Sequence, residues 1–168
     1  MARNVEIKAR VADLDAIARR VAPIATAGPI AIAQDDTFFH CAAGRLKLRA
    51  SSASDAELIF YRRADASGPK ESFYLRTPTP DPDATRALLT AAYGAAGRVV
   101  KDRTLYLVGR TRVHLDVVRG LGTFVELEVV LADDEPTERG VTEAHALMER
   151  LGIAAAQLVE AAYVDLLA

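Results

Sequence analysis

Several short stretches of the chain alternate charged and apolar residues with a period of two, the spacing of a β-strand. In RLKLR (45–49), Arg45, Lys47 and Arg49 lie on one face and two leucines on the other. In FVELEVV (124–130) the sign is opposite, because Glu126 and Glu128 share the polar face. A solvent-exposed face usually intersperses the two signs, since like charges side by side are unfavourable. This segregation of charge by strand indicates a site that needs both signs.

Other alternating stretches extend the pattern: NVEIKARV (4–11), ELIFYRR (57–63), VVKDRTLYLV (99–108) and TRVHLDVV (111–118). Their polar faces carry Glu6 and Lys8; Tyr61 and Arg63; Lys101 and Arg103; and Arg112, His114 and Asp116. An ordinary antiparallel sheet with one solvent-exposed face gives the same alternation in any single strand. Taken together, the strands favour a site that binds a polyphosphate with a divalent metal. In such a site carboxylate oxygens hold the metal, and several cationic side chains neutralise the phosphate oxygens.

Length and composition limit the kind of protein. A chain of 168 residues predicts a single domain over 1–168, and a net charge of -2 gives no overall basic field for nucleic acid. Cys41 is the only cysteine, which excludes an intramolecular disulfide and a cysteine-based zinc site. There is no apolar run near 18 residues, and the N-terminus enters a strand directly. We therefore expect a cytoplasmic protein that does not bind a membrane.

Turn and capping signals divide the chain into strands and helices. The predicted strands are 4–11, 30–41, 45–51, 57–64, 71–77, 99–108, 111–118 and 123–131. The predicted helices follow Asp13 up to Pro23, follow Asp81 up to Gly94, span 137–151 before Gly152, and cover about 155–167. This order describes an α+β domain on an antiparallel sheet that could close into a barrel. A closed sheet with charged inner faces would need helices over its apolar outer faces.

The first of these stretches, NVEIKARV, resembles the Glu-x-Glu-x-Lys signature of the CYTH proteins, also called triphosphate tunnel metalloenzymes. RLKLR, RVHLD and VELEVV follow in the order of that family, and the whole chain is most similar to its class IV adenylyl cyclase branch. The resemblance implies an eight-stranded antiparallel β-barrel, or tunnel, with helices packed on the outside. It also implies a triphosphate and Mg²⁺ or Mn²⁺ inside, so the polar face of the first strand would look into the tunnel.

The same resemblance assigns roles to individual residues. It implies metal ligands at Glu6, Asp116, Glu126 and Glu128, and phosphate ligands at Lys8, Lys47, Arg49, Arg63, Arg103 and Arg112. The catalytic positions it implies are Glu6, Lys8 and Asp116. Arg62 is the alternative to Arg63, because the two are adjacent. The chain departs from the signature at Asn4, which replaces a glutamate and offers a carbonyl oxygen but no charge.

Three functions remain open. An enzyme of the class IV adenylyl cyclase kind would convert ATP to cyclic AMP and pyrophosphate. A triphosphatase would hydrolyse inorganic tripolyphosphate, thiamine triphosphate or a nucleoside triphosphate. A non-catalytic polyphosphate or nucleotide sensor would fit the loss of a glutamate at Asn4. His114 either assists proton transfer or is structural, Tyr61 either contacts the substrate or fills the tunnel wall, and a homodimer is left open.

Overall fold

The strands of the chain close into a barrel. In the computed structural model, which describes residues 2–64, 66 and 68–168, eight strands pair antiparallel in the cyclic order β1-β5-β4-β3-β2-β6-β7-β8. These strands are β1 (Ala2–Arg10), β2 (Ala27–Phe39), β3 (Arg45–Ala50), β4 (Ala56–Arg63), β5 (Lys70–Thr79), β6 (Ala95–Val108), β7 (Thr111–Val118) and β8 (Gly122–Val130). The predicted antiparallel tunnel is confirmed.

Local capping determines where the helices α1 (Leu14–Val21), α2 (Pro82–Tyr93), α3 (Thr137–Leu151) and α4 (Tyr163–Leu166) begin and end. Asp13 and Asp81 accept hydrogen bonds from backbone N–H groups in the first turns of α1 and α2. Gly152 ends α3 with a φ of 70°, a conformation that glycine adopts without steric cost. No helix in the described ranges is both long and apolar enough to cross a bilayer.

The outer face of the barrel is apolar where the helices pack on it. Ile7 on β1 belongs to one buried cluster with Ile17 of α1 and Leu147 of α3. On another side, Leu48 of β3 packs with Leu89 of α2. Burial of these side chains favours a closed sheet that turns its apolar face to the helices, which leaves the charged face inside.

The predicted helix at 155–167 is wrong. A 3₁₀ turn at Ala155–Gln157 is followed by an irregular segment at 158–162 and then by the short α4. Pairing between β1 and β5 ends at Glu6, so the next part of that edge of β1 is free for another partner. Val159 donates a backbone hydrogen bond of 2.9 Å to the Lys8 carbonyl, and Leu158 forms a bridge with Ala9. A long-range backbone partner therefore overrides local helix preference.

Strand β5 is longer than predicted, because it continues through Pro78 to Thr79. Beyond Tyr74 the strand pairs with β4 but not with β1. A proline on such an edge removes no ladder hydrogen bond.

The tunnel has two different ends. The segment 158–166 lies over the end formed by the C-terminal part of β1 and the start of β3, and we call this the covered end. The other end, here the far end, lies where β2 begins and β6 finishes.

Candidate active site

The interior of the barrel concentrates charge of both signs. Among the residues that the structure describes, eight cationic and four carboxylate side chains line its central chamber. They are Lys8, Lys47, Arg49, Arg63, Arg76, Lys101, Arg103 and Arg112, with Glu6, Asp36, Glu126 and Glu128. Apart from Asp116, every residue assigned a role by resemblance is among them. Arg62 instead lies over the ring of Phe73, with 5.1 Å between guanidinium carbon and ring centre, while Arg63 points inward.

One wall is acidic. Glu126 and Glu128 of β8 and His114 of β7 each offer a ligand atom, and these atoms lie within 4.8 Å of one another. His114 Nδ1 lies 3.6 Å from Glu128 Oε1 and, within the described residues, is buried with no hydrogen-bond partner. Burial, aided by the Arg103 charge, holds the pKa of His114 well below its usual range, so its imidazole is neutral. Two carboxylates with a neutral imidazole fit a divalent cation.

Glu126 stays ionised despite its burial. Burial acts to raise its pKa, but the charges of Arg103, Lys8 and Lys101 hold that pKa well below the usual range of a glutamate. Glu126 Oε2 lies 3.0 Å from Arg103, and Oε1 lies 3.6 Å from Lys8. An anionic carboxylate of this kind is the form that a metal ion binds.

Glu6 lies directly opposite Glu128 in the pairing of β1 with β8, and it forms an ion pair with Arg63. Burial raises the pKa of Glu6 more than this ion pair lowers it, and the nearby Glu126 and Glu128 raise it further. Asn4 also lines the chamber; within the described residues its Oδ1 is buried without a hydrogen-bond partner. The departure from the signature therefore lies inside the tunnel.

Asp116 is fully buried behind this wall. Its two oxygens accept hydrogen bonds from Arg103 at 2.7 Å each, and the Tyr163 hydroxyl donates to it at 2.8 Å. Burial acts to raise the pKa of Asp116, but Arg103 keeps it below the usual range. Asp116 lies outside the cluster of His114, Glu126 and Glu128, and its role as a ligand or catalytic group stays a prediction.

The opposite wall is cationic, and sequence reasoning missed the residue at its centre. Asp36 of β2 accepts from Lys47 at 2.8 Å and from both ends of the Arg49 guanidinium at 2.8 and 2.7 Å. Burial acts to raise the pKa of Asp36, but the two cations hold it far below its usual range. Alternation along β2 could have identified Asp36, although the Asp35–Asp36 pair leaves the inward residue ambiguous.

Two lysines on this side have strongly lowered pKa values. Burial, followed by the charge of Arg103, lowers the pKa of Lys101 to about 7. Burial and the charge of Arg49 lower the pKa of Lys47 to about 8, even though it is paired with Asp36. Each lysine can therefore gain a proton when an anion arrives.

The covered end is held by the C-terminal segment. Lys8 Nζ donates to the Ala161 carbonyl at 3.1 Å and lies 4.1 Å from the centre of the Tyr163 ring. Lys70 Nζ donates to the Glu160 carbonyl at 2.9 Å, and Arg45 pairs with Asp165 at 2.6 Å. Sequence reasoning missed Tyr163 as a lining residue because it expected a continuous helix there.

Several solved structures share this fold. The structure of PH1012 from Pyrococcus horikoshii OT3 has a TM-score of 0.84 at 21% identity, covering 97% of this chain and 98% of that one. A candidate adenylate cyclase from Vibrio parahaemolyticus has a TM-score of 0.77 at 22% identity, with 98% and 97% covered.

A third similar structure is HpAC1 from Hippeastrum, a candidate adenylyl cyclase described as having a dominant triphosphatase activity. Its TM-score is 0.63 at 19% identity, and the match covers 94% of this chain and 90% of that one. No curated protein matches the chain. Residues 2–163 match the CYTH domain, so this chain belongs to the CYTH domain family.

Proposed function

We propose that the chain is a metal-dependent enzyme that converts ATP to cyclic AMP and pyrophosphate inside the tunnel. The observation that carries this proposal is the division of the interior into a wall with Glu126, Glu128 and His114 and a facing wall of arginines and lysines. Membership of the CYTH family and similarity to a candidate adenylate cyclase support it. A metal on one wall and phosphates along the other is the arrangement that such chemistry needs.

The acidic wall would hold Mg²⁺ or Mn²⁺ through Glu126, Glu128 and His114. Its two carboxylates are the oxygen donors that both ions prefer, and the neutral nitrogen of His114 suits a transition metal such as Mn²⁺ better than Mg²⁺. A bound metal would neutralise charge that develops on the phosphate oxygens. Glu6 and Asp116 are proposed as further ligands, available when substrate phosphates draw Arg63 and Arg103 away from them.

The cationic residues would bind and orient the phosphate chain. Lys47, Arg49 and Arg112 face the chamber from β3 and β7, and their charges compensate those of the phosphate oxygens. Holding the chain straight aligns the attacking oxygen with the leaving group. In cyclisation, the ribose 3′-hydroxyl oxygen bonds to the α-phosphorus, the bond to the bridging oxygen breaks, and pyrophosphate leaves.

Two buried groups are proposed to carry the hydroxyl proton. Burial raises the pKa of Glu6 and lowers that of Lys8. Shifts of this kind, produced by burial beside charged neighbours, are typical of general acid–base groups.

Hydrolysis is the second candidate, because HpAC1 shares the fold and is described as having a dominant triphosphatase activity. In that reaction water attacks the terminal phosphorus, the bond to the bridging oxygen breaks, and the rest of the phosphate chain leaves while orthophosphate forms. One assay separates the functions: the protein is incubated with ATP, thiamine triphosphate or tripolyphosphate plus Mg²⁺ or Mn²⁺, and the products are identified. Cyclic AMP with pyrophosphate is expected. Orthophosphate release would indicate a triphosphatase, and binding without turnover would indicate a sensor.

The metal site is tested by Glu126→Gln and Glu128→Gln. Each change removes a charge but little volume, so turnover should be lost while metal-free tripolyphosphate binding and the fold persist. Glu138→Gln, on the exposed start of α3, is the matched control and should retain full activity. Near-normal activity in both tunnel variants would exclude this metal assignment.

A further inference from the structure

We propose that the far end of the tunnel binds the organic group of the triphosphate, a heterocyclic base with an adenine-like edge that hydrogen-bonds to Gln34. This inference rests on the proposed function, because it requires the phosphates to occupy the charged central chamber. It adds a second subsite beside the central chamber, with an apolar wall and a glutamine that the metal and phosphate chemistry does not use.

On β2 and β6, the inner face of the tunnel changes from charged to apolar toward the far end. On β6, Lys101 and Arg103 are followed on the same face by Leu105 and Leu107. On β2, Ile32 lies directly opposite Arg103 in the pairing of the two strands. A wall that only had to bind phosphates would gain nothing from these apolar side chains.

This apolar wall exists because the first half of β2 extends past β3. Strand β3 pairs with β2 only over Asp35–Phe39, whereas β6 pairs with β2 from Phe39 back to Ala27. The first half of β2 is therefore an edge strand beside the tunnel mouth, paired with β6, which is paired in turn with β7. A sheet edge of this kind gives a surface against which a planar ring can pack.

The far end also has the larger space. A chamber of about 500 Å³ lies there, against about 150 Å³ for the central chamber. Ile32, Leu105 and Leu107 line it together with Arg49 and Arg112, which line the central chamber too. Binding pockets for small organic molecules typically measure about 300–1,000 Å³ and combine apolar walls with a few polar groups. The two chambers adjoin at the arginines, so a base can lie in one while its phosphates lie in the other.

Gln34 provides a neutral hydrogen-bonding group in this chamber, whose lining also includes the charged side chains of Asp55, Glu57 and Arg76. It lines the chamber, and its Oε1 is buried and has no hydrogen-bond partner among the residues that the structure describes. A buried acceptor without a donor is costly unless a ligand supplies one. A glutamine amide can pair through its acceptor and its donor with the amino group and ring nitrogen of adenine. The orphaned oxygen and the apolar wall therefore indicate the same kind of ligand.

The test measures binding by calorimetry without divalent metal, so that turnover does not interfere. The probes are ATP, purine riboside triphosphate, which lacks the amino group of adenine, and inorganic tripolyphosphate, which lacks the whole organic group. Leu105→Thr should weaken both nucleotides about tenfold and change tripolyphosphate affinity less than about twofold. Gln34→Leu should weaken ATP about tenfold and purine riboside triphosphate clearly less, because the latter has no amino group and loses only the contact to its ring nitrogen.

The control is Val117→Thr, a similar change on the outer face of β7, where Val117 is 50% exposed. It should leave all three affinities unchanged. Unchanged tripolyphosphate affinity in the tunnel variants also shows that they are folded.

Several results would overturn the proposal. An equal loss for all three probes in Leu105→Thr, or no loss for any, would exclude the apolar wall as the base subsite. An equal loss for both nucleotides in Gln34→Leu would exclude the amino-group contact. In these cases tripolyphosphate binding by the unaltered protein would leave the proposed function standing. If the unaltered protein bound none of the probes, the proposed function would fail as well.

Discussion

Asp36 is negatively charged, like the phosphate chain that the tunnel is proposed to bind, and it lies among cationic side chains. Its carboxylate occupies the position between Lys47 and Arg49 where a phosphate group could lie. Two buried cations without a carboxylate between them would repel each other strongly in the folded protein. We infer that Asp36 stabilises the ligand-free tunnel and competes with phosphate for these cations.

The first prediction concerns Asp36→Asn. The fold should lose about 3–5 kcal/mol of unfolding free energy, because a buried pair is broken. Tripolyphosphate affinity should rise, because the competing carboxylate is gone. Urea unfolding and calorimetry measure the two effects. Asp35→Asn is the matched control, since Asp35 pairs with the more exposed Arg98. Weaker tripolyphosphate binding in Asp36→Asn would contradict the competition.

The second prediction concerns protons. Because the pKa of Lys101 is about 7, this lysine is mostly neutral at pH 8. A bound phosphate raises that pKa, so binding at pH 8 should take up a proton and weaken as the pH rises above 7. Calorimetry in two buffers of different ionisation enthalpy measures the uptake. Lys101→Met should reduce this proton uptake and leave only the part contributed by Lys47, whose pKa is about 8. Equal proton uptake by this variant and the unaltered protein would contradict the prediction that Lys101 gains the proton.

At the scale of elements, sequence could predict what alternation and capping encode. The helix at Thr137–Leu151 and the strand at Thr111–Val118 were predicted with their observed bounds. The C-terminal segment could not be predicted, because the hydrogen bond from Val159 to Lys8 joins residues far apart in the chain. Asp36 was missed for a related reason, since only the register of β2 against β3 shows that it lies between two cations.

Tyr163 links this C-terminal segment to the interior of the barrel. Its hydroxyl donates to Asp116, and its ring packs edge-on against Phe124 with 4.9 Å between the ring centres. The third prediction is that Tyr163→Phe lowers the unfolding free energy by about 1.5–3 kcal/mol, because a hydrogen bond to a charged group is lost while the ring remains. Tyr93→Phe is the control, since Tyr93 is 58% exposed on α2. Equal urea midpoints for Tyr163→Phe and the unaltered protein would contradict this role.

At the scale of the whole molecule, the interior and the exterior carry opposite charges. The central chamber has twice as many cationic as acidic side chains, yet the chain as a whole has a net charge of -2. The outer surface is therefore acidic on balance, and the cations are gathered where low dielectric strengthens their field. Without a bound anion these cations repel one another, and this repulsion lowers the unfolding free energy of the ligand-free protein.

The last prediction follows from that repulsion. Tripolyphosphate at about 100 times its Kd should stabilise the fold by about 2.7 kcal/mol without any metal. For a chain of this size, that corresponds to a rise in Tm of about 5–10 °C. Sodium sulfate at equal ionic strength should raise Tm much less, because it screens surface charges but cannot engage the tunnel cations in a row. Arg49→Ala should diminish the shift, while Arg119→Ala in the exposed turn after β7 should not. If sulfate and tripolyphosphate raised Tm equally, the anion effect would belong to the outer surface and not to the tunnel.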